Sequence, residues 1–102
     1  MKDTNVATSI LAKLGLTKQE ATVTLGDVEF TFRRDLSAYD SFVTDFGEDN
    51  KLTPAKDYLL AIIEPSQREQ FSELLPYSEV VLNILKAVNE AFAPAVEIKL
   101  KK

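Results

Sequence analysis

Residues 20–33 read "EATVTLGDVEFTFR", and the fold turns on them. Apolar and polar residues alternate on both sides of Gly26-Asp27, the period of a half-buried strand. A glycine at the first of two central turn positions suits a type II′ turn, because it accepts positive φ without a Cβ clash. Such a two-residue loop sets Leu25 against Val28, Val23 against Phe30 and Ala21 against Phe32 on one side of the ribbon. On the other side Thr24 faces Glu29, Thr22 faces Thr31 and Glu20 faces Arg33. One register satisfies the apolar pattern, the charge pairing and the turn together, so a β-hairpin is predicted.

A hairpin with one apolar face needs cover, and the sequence downstream supplies it. Asp35 is placed to cap a helix whose inner face is Leu36, Tyr39, Phe42, Val43 and Phe46, with Gly47 to end it. Thr53-Pro54 reads as an N-cap and first helical position for the next helix, which Pro65 ends. Ser66 to Glu69 has the capping-box spacing for a short helix holding Phe71, Leu74 and Leu75. After Pro76, Ser78 begins the longest helix, closed by Ala93-Pro94. Residues 96–100, "VEIKL", alternate again and are predicted to add as a strand to one hairpin edge. Upstream, Val6, Ile10, Leu11 and Leu14 fall at helical spacing before Gly15, and residues 16–20 connect them to the hairpin.

The expected class is therefore α+β. A hairpin and a C-terminal strand make a small antiparallel-type sheet covered by about four helices, with an additional N-terminal helix. Residues 1–19 form a helical extension and residues 20–102 the domain.

Composition removes several functions. The 102 residues include no cysteine and no histidine. Disulfides, thiolate metal sites, cysteine nucleophiles and Ser-His-Asp chemistry are excluded, so the chain is expected not to be an enzyme and to use no cofactor. The formal net charge of −4 argues against a sequence-blind grip on nucleic acid, which needs a basic surface to release counterions. No stretch has the length of a membrane span or the form of a secretory leader, which points to the cytoplasm.

The local motifs mostly reduce to ordinary surface and core. Asp45-Phe46-Gly47 has the letters of a kinase metal triplet, but no glycine-rich loop or catalytic-loop motif accompanies it. Residues 45–51, "DFGEDNK", lack the ligand spacing and closing glutamate of a calcium loop. Adjacent carboxylates such as Glu48 and Asp49 are what 16 acidic residues in this length give without design. Arg33 is expected to pair with Glu20, and Arg34 to be a surface charge near a helix start.

One element exceeds the ordinary pattern. The last helix carries Val80, Val81, Leu82, Ile84, Leu85, Val88 and Phe92, wider than a single stripe. A helix apolar over so much of its circumference is deeply buried or shared with a partner. Val80, Val81, Ile84, Leu85, Val88 and Phe92 are the candidate partner-binding residues, with Val80 and Ile84 expected to face outward. Self-association is left open by the same surface. The first helix is open to two readings, a lid on the domain or an arm exchanged between subunits.

Three stretches taken in order, "TLGDVEFTF", "DNKLTPAKDYLLAIIEPSQREQF" and "FAPAVEIKLKK", resemble the small tail assembly chaperones of long-tailed bacteriophages. The matching positions are Gly26, Phe30 and Phe32, then Asn50, Lys51, Pro54 and Ala55, and finally Ala93, Pro94, Glu97 and Ile98. The resemblance covers residues 20–102 and rests on turns, caps and strand patterns, so it implies a role rather than a reaction. It implies a non-enzymatic chaperone in the host cytoplasm that binds the tape measure protein and helps recruit tail tube subunits. A small acidic adaptor or inhibitor of phage or prophage origin is the alternative.

Overall fold

The computed structural model describes residues 10, 12, 16–47 and 49–92. Within them the chain runs as a hairpin followed by helices. Strand β1 is Glu20–Leu25 and β2 is Val28–Arg33. Helix α1 is Leu36–Asp45, α2 is Leu52–Ile62, a 3₁₀ turn is Pro65–Gln67, α3 is Arg68–Ser72 and α4 is Ser78–Phe92. The class is α+β, as expected. The predicted C-terminal strand lies outside the described residues, and so does the N-terminal helix apart from residues 10 and 12.

The hairpin has the predicted register at all six pairs, from Glu20–Arg33 to Leu25–Val28. Gly26 has φ +61°, and among the described residues no other amino acid takes positive φ. Positive φ at the first central position alone is the type II′ pattern, which asks for glycine there and nothing special of Asp27. Ala21, Phe30 and Phe32 are buried on the inner face, and Thr22 and Thr31 bring their hydroxyls to 3.3 Å on the outer one.

Helices α2 and α4 cover that inner face. α4 lies along β1, and α2 packs against both α4 and β2. The short α3 exists to deliver Phe71, whose ring meets Phe30 and Phe32 edge-on, each at 5.5 Å between centroids. Phe32, Phe71, Leu59, Val81 and Val88 form the fully buried centre. Edge-to-face contacts of this kind add about 1 kcal/mol each beyond the area buried.

The outer edge of β2 is closed by an unexpected device. The backbone N–H of Glu64 donates to the Thr31 carbonyl at 2.8 Å, just past a bridge between Ile63 and Phe32. One turn further on, the Gln67 side-chain oxygen accepts from the Thr31 N–H at 2.8 Å. Its amide nitrogen donates to the Glu29 carbonyl at 2.7 Å. One glutamine thus copies the hydrogen bonds of a neighbouring strand. β1 has no second strand partner among the described residues.

Two expected helix caps change, and one expected ion pair gains a second partner. Lys51, not Thr53, is the cap position of α2, without a side-chain bond, and Pro54 sits inside the first turn, where a missing N–H costs little. The Ser66–Glu69 capping box does not form, because Pro65 starts a 3₁₀ turn that contains Ser66. Arg33 keeps the expected ion pair with Glu20, at 3.8 Å, and also donates through Nη2 to Glu64 at 2.6 Å, a carboxylate brought in by the α2–β2 junction.

Candidate functional site

Two helices with apolar stripes, α1 and α4, have opposite fates. Of the six residues proposed on α4, Val81, Ile84, Leu85, Val88 and Phe92 are buried inside the chain. Val80 is half-buried and packs on the same core. The outward assignment of Ile84 is thus corrected: it is 3% exposed, because α4 settles onto β1 and turns that residue toward Val23 and Leu25. Leu82 is the large apolar residue that α4 leaves at the surface.

Helix α1 begins as expected, with the Asp35 carboxylate accepting from the Ala38 N–H at 3.0 Å. Such a cap stabilises a helix by about 1 kcal/mol. The expected inner face, however, is mostly an outer one. Only Phe42 of α1 is buried. Leu36 is 68% exposed, Val43 53%, Phe46 42% and Tyr39 40%. The physical reason is the number of neighbours. α1 rests chiefly on α2, so one narrow line of side chains finds cover.

Phe42 holds that line. Its ring is 5.2 Å from Tyr58 and 5.1 Å from Phe46, and Tyr39 stands edge-on to Tyr58 at 5.8 Å. Tyr58 is 5% exposed. Burial, with a smaller contribution from nearby Tyr39, pushes its phenol up to about 12.

At the start of α1, Arg34 is a structural tie rather than a free surface charge. Its Nε donates to the Lys18 carbonyl at 2.7 Å and its Nη2 to the Phe92 carbonyl at 2.6 Å. The guanidinium also lies over the Phe92 ring, 4.9 Å from its centre. A cation on the last carbonyl of a helix is favoured by the helix dipole. Arg34 therefore joins the connector, the end of α4 and the start of α1. Beside it, Leu16, Gln19, Leu36 and Tyr39 wall an open groove of about 440 Å³.

Among the described residues no three acidic side chains converge closely enough to hold a metal ion. No helix among them is long and apolar enough to cross a membrane. The exposed α1 face escaped the sequence reading because its apolar spacing equals that of a buried helix. Only the tertiary neighbours distinguish the two.

The comparisons give this surface a context. The sequence matches the model of the "Phage tail assembly chaperone" family over residues 21–102. A protein of Haemophilus phage HP1 (strain HP1c1), described as "Uncharacterized 11.3 kDa protein in lys 3'region", is 41% identical over 96 residues. That stretch is 93% of this chain and 94% of the phage protein. It is longer than residues 21–102, so the similarity extends into the first twenty residues. No solved structure matches the chain. With the family model matching residues 21–102, most of the sequence, the chain belongs to the phage tail assembly chaperone family.

Proposed function

We propose that the protein is a non-enzymatic chaperone of the host cytoplasm that binds the tape measure protein and helps bring tail tube subunits to it. Membership of the tail assembly chaperone family carries this reading. The physical chemistry is in keeping with it. A long helical partner exposes apolar stripes before assembly, and a small protein of net charge −4 that covers them keeps the complex soluble. Among the candidate residues on α4, Val80 is the one with side chain at the surface, so the buried five act by holding the shape of the binding domain.

The same proposal includes the last strand. α4 starts beside Leu25 and ends beside Arg34, so it runs opposite to β1 and delivers the chain to the Glu20 end of the open edge. Residues 96–100 would then add along β1, parallel to it rather than in the antiparallel-type arrangement expected from the sequence. Amide exchange tests this addition, because Thr22 and Thr24 point their backbone groups to that edge. Protection of both that Ile98→Asp abolishes is the expected result, and fast exchange in the parent chain would remove the strand.

The function is tested by co-expression with the longest helical protein encoded beside this one, followed by size exclusion with light scattering. Several copies on one soluble long partner is the expected outcome. A partner that precipitates while this chain elutes as a free small particle would favour the adaptor or inhibitor reading.

A further inference from the structure

We propose that the uncovered face of α1 docks an amphipathic helix of another protein, apolar at three- and four-residue intervals and flanked by lysine or arginine. This rests on the chaperone reading and names the contact through which it would act. Leu36, Tyr39 and Val43 follow one another at intervals of three and four along α1, and Phe46, the cap residue at its end, continues the line three positions on. That is the seam spacing by which two helices pair, so the surface complementary to it is a second helix. The face is held from behind by Phe42 on Tyr58, and at its N-terminal end it runs on into the groove beside Leu16.

Charge selects among occupants. Residues 35–50 include Asp35, Asp40, Asp45, Glu48 and Asp49 and no basic residue. Asp40 lies four positions after Leu36 and three before Val43, on the border of the apolar line. Arg34, the neighbouring cation, already donates to the carbonyls of Lys18 and Phe92. A helix flanked by lysines is attracted here. A second copy would bring the same aspartates against these, and like charges at close range disfavour that pairing.

The test uses the full chain and two synthetic peptides of about three heptads with leucine at the seam positions, one flanked by lysine and one by glutamate. Titration calorimetry at low salt should give binding of the lysine peptide, with the glutamate peptide at least about tenfold weaker. The double change Leu36→Ser with Val43→Ser should weaken the lysine peptide at least about tenfold. Leu82→Ser, on the exposed side of α4, should change its affinity by less than about twofold. Circular dichroism and melting curves confirm that each variant is folded. Equal binding of the two peptides, or full affinity in the double variant, overturns the proposal. A parent dimer that the double variant dissolves assigns the face to a second copy, and a rise in affinity with Ile10→Asp assigns it to the N-terminal segment; both also overturn it. No tail protein is used, so failure here leaves the chaperone reading intact, and failure of the co-expression leaves the peptide result standing.

Discussion

Helices α1 and α4 look alike in sequence and behave as opposites. Each carries an apolar stripe at helical spacing, and each begins where the sequence predicts, α1 after the Asp35 cap and α4 at Ser78. α4 buries Val81, Ile84, Leu85, Val88 and Phe92, because the hairpin lies under one side of it and α2 under another. α1 buries Phe42 alone. The apolar content of a helix measures how much cover it needs, and topology decides whether its own chain supplies that cover. In a family whose role is tail assembly, the helix left uncovered is the one with surface to offer.

The comparison breaks first in the core. Val88→Asp places a carboxylate in a fully buried, apolar site of α4 with no partner in reach. Desolvation without compensation should cost about 4 kcal/mol or more, enough to unfold a domain of this size. Urea denaturation should show little or no folded variant. If the protein tolerates the change, α4 is less essential to the core than its burial implies.

Phe42→Ala removes the one anchor of α1. A buried phenylalanine truncated to alanine costs about 3 kcal/mol, at the low end here because the aromatic cluster lies at the domain's margin. Amide exchange should accelerate throughout α1 while α4 keeps its protection. Equal loss in both helices would show that α1 folds as one unit with the core.

Alkaline pH reads the same junction through Tyr58. Its phenol is held neutral up to about pH 12, well above the ordinary tyrosine value of 10.0, chiefly by burial. A folded-state value above the unfolded one means the unfolded chain releases the proton first. The stability it contributes is therefore full below about pH 10 and is lost as pH climbs toward 12, by roughly 2–3 kcal/mol. Tyr58→Phe should remove this portion of the alkaline loss, measured as the difference in urea midpoints across that window. Parallel curves for the two proteins would mean that the phenol reaches water.

The legible and illegible parts of the fold divide along physical lines. The hairpin register was readable because turn type, alternation and the Glu20–Arg33 charges sit within fourteen residues and agree. The Asp35 cap and the start of α4 were readable for the same local reason. What failed needed partners far along the chain. Glu64 joins the Arg33–Glu20 pair, Arg34 ties Lys18 to Phe92, and Gln67 closes the β2 edge, and none of these added pairings leaves a mark on local sequence. The facing of Ile84 and of Leu36, Tyr39, Val43 and Phe46 failed likewise, because periodicity gives the stripe but not the neighbour.

The smallest expected effect separates the two helices most sharply. Val43→Ser on α1 replaces a side chain that is already largely in water. Serine and valine have similar helix propensities, so the backbone gains or loses little by the exchange. The folding free energy should move by no more than about 0.5 kcal/mol, the range of ordinary surface changes. Val81→Ser, the same chemical change at a fully buried site of α4, both opens a cavity and buries a hydroxyl, and should cost about 2–3 kcal/mol. Urea curves of the two variants decide the matter. A large loss for Val43→Ser would mean that the α1 face is already covered in the free protein, and the surface assigned to a partner would instead belong to the fold.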